Sequence, residues 1–245
     1  NRGGTLASRS TLDLDAATLD NTAGGTLAAN GALGLAVAGL LDNRDDGLID
    51  SRDATVHLAA GALDNAGGTL QGQGDLALVL GGDLRNAGGT VVSRTGDVDV
   101  RATHLDNRQG TLASIEGWVR TVLSGGLNNG EGGLIQGERL ALAAGTLSND
   151  GGRIHALGGD ARLSAAALDN RHGVLYARDT LRFAGGAVDN RGGRLGAGAI
   201  ALLLSGALDN RQGLVESGGT LAVTGTDVDN QGGQLRALGT EGETS

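Results

Sequence analysis

Residues able to do chemistry are few in this chain, and their spacing keeps them apart. The histidines are His57, His104, His155 and His172. Counted from the preceding Asn of a recurring motif, they fall 14, 18, 6 and 2 residues along. Different offsets put them on different edges, so neither one imidazole ladder nor one metal cluster is expected. They read as solvated surface or loop side chains. Ser, His and Asp all occur, but no nucleophile stands beside a base at a recognisable elbow. Cys is absent, which removes disulfides, thiolate catalysis and Cys-ligated zinc together. No catalytic, cofactor-binding or metal-binding residue is therefore assigned.

Two constellations merit weighing. The Asp before each motif Asn (Asp20, Asp42, Asp64) would stand in a row of like charge if the motifs stack. Arg2, Arg44, Arg108, Arg171, Arg191 and Arg211 follow the Asn and offset that row. Exposed pairs of this kind contribute about 0–1 kcal/mol. A carboxylate row is also a weak divalent-cation binder, but a solvated, Arg-balanced edge is the expected state. The second is Ala113–Ser124, where Ser114-Ile115-Glu116-Gly117-Trp118-Val119-Arg120 carries the only Trp. It is either a receptor contact or a local packing variation. Trp118, Tyr176 and Phe183 do not cluster by repeat arithmetic, and no repeat carries a long loop. A carbohydrate lyase or hydrolase, which needs a cleft with clustered carboxylates, basic groups and aromatic platforms, is the least favoured reading.

Composition sets the class. The formal charge is −9, from 28 acidic and 19 basic residues, all of the latter Arg. That argues against nucleic-acid binding, which needs a net basic face. No apolar run reaches 18 residues, so no membrane insertion is expected. The absence of Met reads as a mature piece, or a cut-out, of something longer, with any export signal outside it. Gly at 47 of 245 residues could signal disorder, but hydrophobic residues at 39% keep regular places.

That regularity is an internal repeat. Leu63-Asp64-Asn65 and Leu208-Asp209-Asn210 are typical copies; Leu84-Arg85-Asn86 and Leu147-Ser148-Asn149 are degenerate ones. The motif Asn residues are Asn1, Asn21, Asn43, Asn65, Asn86, Asn107, Asn129, Asn149, Asn170, Asn190, Asn210 and Asn230, at steps of 20–22. One extra residue lies in the corner at Asn21. Within a repeat the apolar sites recur in place, as at Leu134, Leu140, Leu142 and Leu147. The central pair alternates at period two, the mark of a strand with one buried face. Asn-x-x-Gly supplies a tight corner, since Asn tolerates a left-handed backbone and Gly adopts one without cost. The expectation is a triangular coil of about 21 residues with aliphatic side chains inward.

Stacked coils would set equivalent Asn residues above one another, where an amide can both donate and accept. The Asn is there for a ladder and a turn, or for its turn alone. One coil cannot stand by itself; the array supplies the core. The last stretch, 239–245, looks frayed or truncated. Leucine-rich, calcium-binding nonapeptide and hexapeptide repeats do not fit the pattern.

Val188-Asp189-Asn190-Arg191-Gly192-Gly193-Arg194-Leu195, Leu105-Asp106-Asn107-Arg108-Gln109-Gly110-Thr111-Leu112 and Leu63-Asp64-Asn65-Ala66-Gly67-Gly68-Thr69-Leu70 resemble the repeats of the filamentous haemagglutinin family. These are bacterial two-partner-secreted exoproteins, among them adhesins and contact-dependent growth-inhibition effectors. The resemblance covers the whole chain. It implies an all-β, right-handed parallel β-helix of about 12 coils of 20–22 residues, a single array over 1–245. It also implies an outer-membrane transporter partner, a secreted or cell-surface location, and a shaft role. A host-cell or bacterial receptor is a further implied partner. The family's secretion and toxin domains are not evident in the sequence.

Overall fold

The computed structural model describes residues 1–239; the stretch read as a frayed end lies almost wholly outside them. All strand pairings are parallel, and no helix occurs among the described residues. Alternation makes the strands. In Leu76–Leu80, Leu76, Leu78 and Leu80 point inward and Ala77 and Val79 outward.

Each coil has three faces. The first runs from the Asn corner, as in Thr5–Ser8, Thr69–Gly72 and Leu214–Ser217. The second is longer, as in Leu12–Ala16 and Leu76–Leu80. The third is a short strand before the next Asn, as in Leu84–Arg85 and Leu105–Asp106. Some strands continue through the bends: Val174–Asp189 travels round all three faces of its coil. Each face pairs with the same face of the next coil, Leu70 with Val91, Leu78 with Val100 and Leu63 with Leu84. The result is a β-solenoid. Twelve Asn corners enclose eleven closed turns, and the twelfth copy reaches the first-face strand Gln234–Ala237.

The core is a set of stacked rows. Leu27, Ile49, Leu70, Val91 and Leu112 fill the first face and are shielded from solvent. A second-face row passes through Leu163, Phe183 and Leu202. Gly185 stands beside Phe183; a Cβ there would collide with the Ala165 carbonyl oxygen and lie 3.1 Å from the Phe183 ring. Two inward positions add to the four aliphatic sites seen in the repeat. One is apolar and closes the second bend, at Val37, Leu80, Leu123 and Leu204. The other is small and closes the first bend, at Ala29, Ser51, Gly72, Ser93 and Ser114. Its serines stay satisfied because Oγ donates to the bend of the preceding coil, Ser93 to the Gly74 carbonyl at 2.8 Å and Ser114 to the Gly96 carbonyl at 2.7 Å.

Coil length varies without breaking register. The pairing shifts by one residue between Val37 and Leu40, and again between Ala177 and Thr180. Both are β-bulges at a bend, where an extra residue leaves the rows on either side aligned.

One core position breaks the pattern. Thr121 stands in register between Val100 and Leu142. It is buried, and its Oγ1 has no hydrogen-bond partner. Stranding a hydroxyl in an apolar row costs about 1–3 kcal/mol. Thr121→Val keeps the shape and removes the stranded group, so it is expected to raise unfolding stability by about 1–2 kcal/mol in urea titration. Loss of stability would mean that the hydroxyl is bonded in solution.

Candidate functional site

The twelve motif asparagines stand in one column. Each from Asn21 to Asn210 is fully buried. Asn107 is typical. Its Nδ2 donates to Asn129 Oδ1 at 2.7 Å, to Gly110 O at 3.3 Å and to Leu134 O at 3.1 Å. Its Oδ1 accepts from Asn86 Nδ2 at 2.7 Å. Eleven such side-chain bonds, of 2.6–2.8 Å, link Asn1 through Asn230. All run the same way, from Nδ2 of one coil to Oδ1 of the next. The main chain runs parallel to them, as Asn107 N donates to Asn128 O at 2.7 Å.

The corner differs from its sequence reading. No Asn has a positive φ. The left-handed residue stands two after the Asn: Gly67, Gly88, Gln109, Gly151, His172, Gly192 and Gln212. The longer corners carry two in succession, Ala23 with Gly24, Asp45 with Asp46, and Glu131 with Gly132. The motif Gly is not left-handed either. It is small because the chain passes close: a Cβ on Gly110 would collide with the Asn86 carbonyl oxygen and lie 2.9 Å from Asn107 Oδ1. The column thus dictates its own glycine.

Where an Asp precedes the Asn it also has a local task; Arg85, Asn128 and Ser148 stand there before Asn86, Asn129 and Asn149. Asp106 Oδ1 accepts from the Arg108 main-chain N at 3.2 Å, closing the corner from outside. Arg108 then returns a forked pair, Nε at 2.9 Å and Nη2 at 2.8 Å. Arg191 Nε also reaches Asp209 of the next coil at 3.5 Å, and Arg211 Nε reaches Asp229 at 3.5 Å. From Asp150 to Asp229 the carboxylate row is therefore an alternating ion ladder, while Thr22, Ala66, Ala87 and Gly130 interrupt it in the earlier coils. Hydrogen bonds from Arg44, Arg108 and Arg211 hold the Asp42, Asp106 and Asp209 carboxyls below the usual range. Among the described residues no three acidic or imidazole side chains converge to hold a metal ion.

The remaining candidates scatter. Trp118 faces outward, its ring between Arg120 at 4.9 Å and Arg139 at 5.5 Å. Arg120 is tied to Asp97 at 2.6 Å, and Asp97 also accepts from the Trp118 main-chain N at 2.8 Å. His104 lies 2.9 Å from Asp83 and His172 3.3 Å from Asp150, both exposed. His155 departs from the loop expectation. It stands on the strand Arg153–Ala156, half-buried, with its ring edge-on to Tyr176 at 6.4 Å. Burial, then Arg153, lowers its pKa. The sequence signal for this pair is a shared offset: both residues fall six after their Asn.

Two outcomes follow. Asn107→Ala leaves Asn129 Oδ1 without its buried donor and takes one of three acceptors from Asn86 Nδ2, which keeps Gly89 O and Thr111 O, with an expected loss of about 1–3 kcal/mol in denaturant unfolding. Asn107→Gly is expected to do no better, since the φ is ordinary there; a Gly variant as stable as the parent would reduce Asn to a turn former. The second concerns acid. The carboxyls of Asp42, Asp106 and Asp209 are depressed in the fold, so their contribution is present above an unfolded pKa of about 3.9 and lost as pH falls through the folded values. Urea midpoints are expected to hold from neutral pH to about 5 and then fall. The triple Asp→Asn variant is expected to flatten that fall; an unchanged acid slope would dismiss the ion ladder.

The haemagglutinin repeat model matches residues 1–57, 52–88, 89–114, 120–159, 139–212 and 197–240. No curated protein and no solved structure gives a significant match. With the repeat matched along the described chain, and with the Asn corner and parallel coils in place, this chain belongs to the filamentous haemagglutinin family.

Proposed function

We propose that this chain is a shaft segment of a bacterial adhesin-like exoprotein, one continuous array over 1–245 that projects functional ends away from the cell. The observation that carries it is the repetition of one corner and one set of core rows through eleven turns. Such an array gains length coil by coil, because each coil contacts only its neighbours. The twelve Asn residues serve as its structural site.

Proteins with this repeat are generally secreted or surface-exposed and associated with two-partner secretion. Export through an outer-membrane transporter partner fits a chain without Cys, whose fold closes one coil at a time. The family is one of non-enzymatic adhesins, which supports a role without catalysis.

Deleting Asn65–Arg85 in the whole exoprotein joins Asp64 to Asn86 and keeps the Asn phase. Secretion, folding and target binding are expected to survive, with the filament shorter by one coil. Deleting about half a coil is expected to block folding and export, because a broken phase leaves Asn amides facing apolar rows. Loss of adhesion after the in-phase deletion, with secretion and folding intact, would place a receptor site in that coil and contradict the shaft reading.

A further inference from the structure

The first face has an outward row six residues after the Asn, or seven where the corner is the longer kind, as at Gln136. It runs Gln136, His155, Tyr176, Gly196, Glu216, Arg236 through successive coils. A glycine in the middle of this row leaves a gap between a tyrosine and a glutamate. Over it lies a groove of about 760 Å³, within the range of small-ligand sites.

Its walls differ from the rest of the rod. Tyr176, 41% exposed, stands on one side, and its ring is 3.7 Å from where a Gly196 Cβ would lie. The half-buried His155 packs against the ring in a T-shaped contact, at an interplanar angle of 89°. The bulge between Ala177 and Thr180 inserts an extra residue at the rim, and Arg178 there lines the groove. Bulges re-aim side chains in this way. Arg194 lines it too. Neither guanidinium has a carboxylate within 4.0 Å among the described residues, whereas Glu216 is neutralised by Arg236. In a chain of net charge −9, this groove is lined by two guanidiniums outside the ion pairs of the described residues, with the exposed Asp179 beside Arg178.

We propose that this groove binds a sugar carrying a carboxylate. A pyranose offers a flat C–H face to an aromatic ring, and a carboxylate accepts a planar fork of guanidinium hydrogen bonds. The Tyr176 ring takes the sugar face over the Gly196 floor; Arg178 and Arg194 take the acid. Sialylated chain ends and uronic-acid polymers both carry this chemistry. The site does not rest on the shaft reading, and a rod lacking Asn65–Arg85 retains it.

Tyr176 is the only tyrosine, so ring labelling with ¹³C gives a single NMR reporter. The probes are 3′-sialyllactose and digalacturonic acid, with lactose as neutral control. Saturable shifts of the Tyr176 signal are expected with at least one acidic probe at about millimolar concentration, and at least roughly tenfold weaker binding with lactose. The tighter acid identifies the source. Arg178→Ala and Arg194→Ala are each expected to weaken binding about tenfold or more. Gly196→Leu, at an ordinary φ with only the Tyr176 ring nearby, is expected to fill the floor and abolish it. Unchanged melting temperatures would show that these exposed variants are folded. No saturable shift with either acid, equal binding of lactose, or full binding by Gly196→Leu would each overturn the proposal.

Discussion

A primary amide buried in an apolar rod has one economical solution: another amide directly above and another directly below. The rest of this molecule is arranged around that constraint. Each buried Asn donates along the axis to the next coil and accepts from the one before, so no amide is stranded where stranding costs most. The column fixes the period, because a coil of the wrong length would offset its Asn and break two bonds at once.

Several other features follow from the column. The motif glycine exists because the chain passes over the preceding Asn carbonyl with no room for a Cβ. The left-handed turn is displaced two residues on, where Gly shares the position with Gln109, His172 and Gln212. The preceding Asp holds the outer side of the corner and, with Arg, forms a second, exposed ladder. Extra residues are admitted at bulges, in the longer corners and in the bend after the first face. The inner ladder is buried and unscreened and the outer one is wet, so the first governs stability and the second modulates it.

Much of this was legible as periodicity. The Asn steps, the paired aliphatics such as Leu140 and Leu142, and the parallel coils all follow from counting residues. The corner's conformation did not follow, because composition cannot say which of Asn, Arg or Gly adopts positive φ; Gln109 and Gln212 do so with no marker in the sequence. The small inward residues at Ser51 and Gly72 escaped because they look like loop residues. Tyr176 and His155 are of different residue types, so neither a row of histidines nor a cluster of aromatics marks them as neighbours. Asked which residues share an offset of six, the same arithmetic brings His155, Tyr176, Gly196 and Glu216 into one row. The value of a solenoid repeat lies in that question, since offset becomes position.

The most direct measurement of the central claim is hydrogen exchange of the side-chain amides by NMR. Asn30, on the surface, and Asn128, which faces out of the corner, lie outside the column and serve as internal controls. If the column holds the rod together, the Nδ2 protons of Asn43 through Asn190 exchange only with global opening, as slowly as the backbone amides of the core strands. Those of Asn30 and Asn128 exchange rapidly. Column amides that exchange as fast as Asn30 while the core backbone stays protected would show that the stacked coils do not depend on the ladder.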